Sequence, residues 1–439
     1  VSQYVAAVSI FALTVTLSLS RPRIGRLRVH HASAAVLGAS LTIILGLVPP
    51  PLLVRALRML AFPVVTIVSL MVITLVAEQA GVLDSLARRV AVAARGDGRR
   101  LFLYLFVCGT ATGTVFTNDA AILIFTPLVF GLIEEVAEPS WTLRNKIPFY
   151  FAVLYVGNLV GALVISNPIN IIVSSIFDIG FFEYACWMVV PAAVSMAVSY
   201  VGLRIVFQRA IPAGYRLLPG DDAGPHDPFM AKLCGVVLAI TLVGFFSDSL
   251  TRVPIWAVAL AGALTLLVVH RQRGGSVVRI VRGVGWDVIV FLIGIFLIAM
   301  ALRNVGFAHQ LGSLITALAD DGVGSLTTTT SFVAACCSSL LNNHPTSGLM
   351  IWVIQDIART ALETKMLVFA ALIGGDLGPK MLPIGSLAAL MWFRMLRDRG
   401  VRVPYSLYIK IGIPVTLLAV LASVLTLNLQ RMLYEWLIR

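Results

Sequence analysis

Charge is scarce in this chain. Only 12% of its 439 residues are Asp, Glu, Lys or Arg, against 59% hydrophobic, and the mean hydropathy is +0.95. A water-soluble domain of that composition would expose far too much apolar surface, so most of the mass belongs in lipid. Cysteine is scarce as well: five residues, none in a zinc-type spacing, offer neither a disulfide framework nor a thiolate metal site. No GxxxxGK[ST] string occurs, so the chain carries no ATPase of its own. A nucleophile paired with a base and a His-rich metal string are both missing, which argues against an intramembrane enzyme.

Long apolar runs are what the chain has in abundance. About 20 residues cross the hydrocarbon core, and runs of that order lie at 4–20, 32–49, 52–77, 147–177, 185–207, 231–247, 254–270, 287–302, 366–393 and 405–429. The first is read as a retained helix and not a signal peptide, because its basic residues follow the apolar run instead of preceding it. The formal charge of +12 would suggest nucleic acid in a soluble protein, yet topology accounts for it. With the N-terminus outside, loops 21–31, 84–100, 138–146, 204–230, 271–286 and 394–404 face inward and hold most of the arginines. The opposite loops hold Asp178, Glu183, Asp248, Asp320, Asp321, Asp356 and Glu363 with only Arg252, Arg359 and Lys365. A nucleic-acid partner is therefore not expected.

Short polar strings interrupt the apolar sequence. Residues 101–117 and 120–136 flank Asn118-Asp119, and 326–341 and 345–355 flank Asn342-Asn343-His344. Each pair either spans twice or forms a re-entrant hairpin whose tip stops at membrane depth; the polar tips favour the hairpin, because spanning arms would leave those groups in a surface turn and the second pair has an arm of only 11 residues. Two further spans are broken, at Ser166-Asn167-Pro168-Ile169-Asn170 and at Pro383-Ile384-Gly385-Ser386. A loop rich in Pro, Gly and charge at 209–230 divides an N-terminal unit, 1–208, from a C-terminal unit, 231–439. Each unit carries three spans, an amphipathic stretch (Val82–Arg95; Val305–Ala319), a hairpin, a broken span and a final span. Five spans per unit is odd, so the second enters with opposite orientation. The expected fold is all-α and polytopic, two inverted five-helix repeats, each with a re-entrant hairpin and a broken helix.

Several strings resemble the ArsB family of arsenite efflux permeases, within a superfamily of ion transporters. They are Thr117-Asn118-Asp119-Ala120-Ala121-Ile122-Leu123 with Thr126-Pro127, Trp286 with the run to Leu302-Arg303-Asn304-Val305-Gly306, Leu341-Asn342-Asn343 with Pro345-Thr346, and Gly375-Asp376-Leu377-Gly378-Pro379-Lys380 with Pro383-Ile384-Gly385-Ser386-Leu387-Ala388. The chain departs from the family at Ser166 to Asn170 and at His344, where Met is more familiar. The resemblance implies a multi-pass carrier of the bacterial cytoplasmic (inner) membrane that exports arsenite and antimonite, with proton antiport as the expected coupling. It leaves room for a separate ATPase subunit and for a homodimer. Its superfamily also contains sodium/proton antiporters and small-anion carriers, which stand as the alternatives.

Arsenite near neutral pH is the uncharged trihydroxide, which a carrier must hold by several modest hydrogen bonds and then release. Asn, Ser and Thr side chains and freed backbone groups supply such bonds, each worth about 0.5–1.5 kcal/mol. Thr117, Asn118, Asn167, Asn170, Asn342, Asn343, Gly385 and Ser386 are the expected substrate contacts. Ionisable groups at membrane depth default to function, so Asp119, Asp376, Lys380 and His344 are the expected proton-coupling groups. Asp376 and Lys380, four residues apart, are expected to form an ion pair if the turn is helical. Cys108, Cys336 and Cys337, on the first arms of the hairpins, read mainly as small residues for close helix packing. No cofactor or metal is expected.

Overall fold

The computed structural model describes residues 2–24, 27–116, 118–216 and 224–438, with the side chains of 23–24, 27–28, 118–121, 123–124 and 387–388 excepted. Its first half opens on three apolar helices, α1 (Ser2–Ser20), α2 (His31–Ile44) and α3 (Pro50–Gln79). The amphipathic α4 (Val82–Ala93) follows, then a helical hairpin, α5 (Gly98–Val115) and α6 (Asn118–Val136). A broken helix, α7 (Leu143–Val156) and α8 (Pro168–Ile176), and a long closing helix, α9 (Phe181–Phe207), complete it.

The second half repeats that order. It has α10 (Pro228–Phe246), the short α11 (Asp248–Thr251), α12 (Ile255–Gln272), the short α13 (Val277–Gly283) and α14 (Trp286–Asn304). Then come the amphipathic α15 (Phe307–Leu318), a hairpin of α16 (Val323–Leu341) and α17 (Asn343–Ile357), a broken helix of α18 (Ala361–Leu377) and α19 (Leu387–Asp398), and the closing α20 (Tyr405–Leu437). Seven described segments are long and apolar enough to cross a membrane. A two-residue antiparallel pair, Arg23–Ile24 with Leu27–Arg28, is the one sheet among the described residues.

Local chemistry sets where the helices begin. Asp97 caps α5 by accepting from Arg99 N and Arg100 N, at 2.8 and 3.1 Å. Asp227 caps α10 through Met230 N, and Thr360 caps α18 through Glu363 N. Tertiary contacts then gather the basic loops at one end. Tyr215 N bonds Gly96 O, Arg216 N bonds Val136 O and Asp227 N bonds Ala80 O; Arg273 pairs with Asp227 at 3.5 Å. At the other end Phe181 N donates to Asp248 and Lys365 pairs with Glu183.

The hairpins therefore enter from opposite ends. The first is anchored at the basic end through Gly98 N to Ala213 O and Arg216 N to Val136 O. The second is anchored at the opposite end, where Asn428 donates to Gly324 O and Arg303 lies 3.7 Å from Asp356. Their inner ends meet the broken helices in the interior. Asn342 and Asn343 at the second tip are buried, which a turn at the surface would not be. Small residues let α16 lie directly on the second broken helix: a methyl at Gly374, Gly378 or Gly385 would collide with Ser331 O, Ala335 O or Ser339 O respectively.

Candidate functional site

Asn167 ends the first break. Its backbone is extended, its Oδ1 accepts Ile169 N at 3.3 Å, and Pro168 supplies the first residue of α8. With Oδ1 used as a cap, the amide nitrogen points away from α8. At the second tip, Asn342 is the corresponding cap: it sits at φ +83°, and its Oδ1 accepts His344 N at 3.3 Å and lies 3.2 Å from His344 Nδ1. The next residue, Asn343, is then aimed inward from the first turn of α17.

Both amides reach the same carboxylate. Asp376, next to last in α18 and 2% exposed, accepts from Asn167 Nδ2 and Asn343 Nδ2 at Oδ1, both at 2.9 Å. Its Oδ2 accepts from Gly161 N at 3.0 Å and Asn170 Nδ2 at 3.2 Å. Four N–H donors thus fill the acceptor directions of one carboxylate. Three belong to the first half, while the carboxylate and the fourth donor belong to the second. The N-terminal ends of α8 and α17 face the charge, which offsets its poor placement at the C-terminal end of α18.

A second ring of contacts holds the donors. Tyr184 Oη accepts from Asn170 Nδ2 at 3.0 Å and donates to Gly161 O at 3.1 Å. Ser347 donates to Asn343 Oδ1 at 2.9 Å, and Ser338 to Gly375 O at 2.7 Å. Asn170 Oδ1 is buried with no hydrogen-bond partner among the described residues, leaving one acceptor open beside the carboxylate.

Of the expected site residues, Asn167, Asn170, Asn343 and Asp376 converge. Asn342 and Ser386 instead cap helices, the latter accepting Ala389 N at 2.9 Å. Gly385 serves the close approach to α16. Thr117 and the side chains of Asn118 and Asp119 lie outside the described residues. The first tip nonetheless reaches the first break, since Ser166 Oγ donates to Thr114 O at 3.1 Å.

The expected Asp376–Lys380 ion pair does not form. The chain tightens into a 3-10 turn over Gly378–Lys380, with Met381 N bonded to Gly378 O, which turns Lys380 farther around the axis than an α-helix would. Lys380 is 1% exposed and its Nζ lies 5.1 Å from the Tyr155 ring centroid, without a hydrogen-bond partner among the described residues. His344 packs edge-on against Phe291 at 6.0 Å.

Gly161, Tyr184, Ser347 and Tyr155 escaped the sequence reading. Gly161 had a signal, since it closes the Gly-Asn-Leu-Val-Gly string ahead of Ser166 and a Cβ there would lie 2.6 Å from Asn170 Nδ2. Tyr184 and Tyr155 had none, being apolar-span aromatics until tertiary structure gives them neighbours. His30, His31 and Asp287, with ligand atoms within 4.8 Å of one another, could hold a metal ion at the basic end, apart from this network.

The profile of the arsenical pump membrane proteins, ArsB, matches residues 6–437. An arsenical pump membrane protein of Escherichia coli (strain K12) is 31% identical over 427 residues, covering 96% of this chain and 98% of that one. A putative arsenical pump membrane protein of Bacillus subtilis (strain 168) is 24% identical, over 81% and 85% of the two chains. Among solved structures, the Alcanivorax borkumensis YdaH transporter shares the fold, with a TM-score of 0.62 at 14% identity over 99% and 98% of the chains. With its apolar helices and relatives of this kind, the protein is a multi-pass protein of the bacterial inner membrane. It belongs to the ArsB family of arsenical pump membrane proteins.

Proposed function

We propose that this protein exports arsenite and antimonite in exchange for protons, and that Asp376 is the group on which substrate and proton compete. The arsenical comes from the family description and from the name of the E. coli relative. The single observation that carries the rest is the buried carboxylate with four N–H donors contributed from both halves.

An ionised carboxylate accepts hydrogen bonds only. Arsenite offers three hydroxyls, which donate to Asp376 and accept from the amides of Asn167, Asn170 and Asn343 as these move aside. A proton on Asp376 removes much of that acceptor capacity and expels the substrate. Exclusive occupancy is what an antiporter requires. Lys380, one turn beyond, and His344 at the second tip are the groups through which the proton is relayed. The first tip completes the cavity with Thr117 and Asn118 and brings Asp119 as a further proton-coupling group, while Asn342, Gly385 and Ser386 shape it from the second half.

The same surroundings weigh against the alternatives. A sodium ion needs oxygen ligands, and Asp376 is ringed by N–H groups. An anion would meet the like charge of the Asp376 carboxylate, whose acceptor directions are already taken by four N–H donors. In this reading residues 1–208 and 231–439 are inverted repeats joined by a cytoplasmic linker at 209–230, with the basic end in the cytoplasm and both termini outside. The hairpins and broken helices rock or slide against the remaining helices, as one protomer of a homodimer; an ATPase subunit, if present, adds to the ion gradient.

Proteoliposomes carrying a trapped pH dye provide the test, with arsenite, antimonite and sodium added separately. The expected result is proton flux with either metalloid and none with sodium alone. A sodium response without a metalloid response would overturn the proposal.

A further inference from the structure

Two clefts at the basic end run into one another. One, of about 700 Å3, is bounded by Arg21, His30, Arg394 and Asp398. The other, of about 670 Å3, is lined by Val15, Leu340 and Ile384 among others, and Leu19, Ser20 and Leu390 belong to both. The inner cleft passes between α1, α16 and α19 and ends at Leu341 and Pro383, beside the second hairpin tip and the second break. Its walls are almost wholly apolar, and Leu340 and Ile384 remain 57% and 50% exposed.

The mouth is different. Arg21 follows α1 directly, with φ at +43°, and its Nε is buried with no hydrogen-bond partner among the described residues. Its Nη2 lies 3.5 Å from His31 Nδ1. Burial lowers the Arg21 pKa below its ordinary value; Asp287 opposes that shift and Arg394 adds to it. Arg394 itself has Asp398 at 3.8 Å, both well exposed, a contact worth little in water. Two guanidinium groups therefore press on one opening.

We propose that the joined clefts bind one anionic phospholipid, its phosphate between Arg21 and Arg394 and one acyl chain along Leu19, Leu340 and Ile384. Guanidinium forks suit phosphate oxygens, and basic pockets between helices at the cytoplasmic face select anionic headgroups. A soluble phosphate would leave the apolar groove empty, whereas a lipid fills both parts. Its chain would rest against Leu341, one residue before the cap of α17, so lipid composition would tune movement of the second tip.

Native mass spectrometry of the intact protein, released from nanodiscs of phosphatidylglycerol or of phosphatidylcholine, tests this. The wild type should retain phosphatidylglycerol and not phosphatidylcholine. Arg21→Gln with Arg394→Gln should cut retention at least tenfold, and Leu340→Trp, which fills the groove at an exposed position, should do likewise. Circular dichroism confirms that each variant is folded; should the double variant fail, Arg21→Lys keeps charge but removes the fork and should lower retention. Equal retention of both lipids, or unchanged retention in the folded variants, would overturn the proposal. So would displacement of the lipid by inorganic phosphate together with no effect of Leu340→Trp, which would leave only a free-anion site.

Discussion

At the first break, α8 begins with Asn167 as its cap and offers amides and an N-terminal end; at the second, Asp376 lies in the last turn of α18, followed by Lys380. Both breaks occupy the same place in the order of elements, so the architecture repeats. Their chemistry does not. One supplies neutral donors and the other supplies the charge, and the interior is satisfied only when the two are apposed. The same order of elements can thus carry different chemistry in the two halves, and the Asp376 carboxylate takes most of its donors from the half it does not belong to.

The largest expected effect comes from removing the charge. Asp376→Asn should abolish uphill, gradient-driven arsenite export, by more than about a hundredfold, because an amide cannot carry the proton. Downhill arsenite exchange should survive at a reduced rate, measured as counterflow in everted vesicles. Loss of counterflow with normal protein abundance would point to a purely structural role.

Next in size are the donors. Asn167→Ala and Asn343→Ala each delete one hydrogen bond to a charged group, worth about 1.5–3 kcal/mol, so arsenite affinity should fall on the order of ten- to a hundredfold. Since both amides serve Oδ1 from different halves, the double variant should be non-additive. Strict additivity in a transport-based double-mutant cycle would show that the two amides act independently and not through one shared carboxylate oxygen.

A smaller effect is expected at Asn342. Its side chain is a helix cap at positive φ, so Asn342→Ala should cost about 1 kcal/mol of stability with little change in affinity, and Asn342→Gly less than that. Thermal melting alongside arsenite binding checks both. The smallest effect belongs to Tyr184→Phe, which removes one prop behind Asn170 and Gly161 and should alter affinity by no more than about tenfold.

Much of this frame was legible in the sequence, because membrane-spanning backbone leaves few choices. Apolar length marks the spans, and Ser-Asn-Pro or Pro-Ile-Gly-Ser inside such a run can only be a break that faces protein or a cavity. Asn167, Asn170, Asn343 and Asp376 followed from the same logic. The Asp376–Lys380 pairing failed because spacing was read at the α-helical pitch, whereas the chain tightens into a 3-10 turn at Gly378. That Asn342 also caps α17 through its Oδ1 is not legible from residue type, because one side-chain amide can cap a helix with its oxygen and face a ligand with its nitrogen, as Asn167 does. Gly161 acts through its N–H, which residue type does not encode.

On the proposed mechanism, proton and arsenite exclude one another at Asp376. Arsenite binding to the purified protein, titrated calorimetrically across a series of pH values, tests it most directly, since the ligand itself stays uncharged near neutral pH. Wild-type affinity should weaken as pH falls, with proton release on binding, and Asp376→Asn should bind more weakly with no pH dependence. Wild-type affinity independent of pH, or a pH dependence retained unchanged in Asp376→Asn, would contradict it.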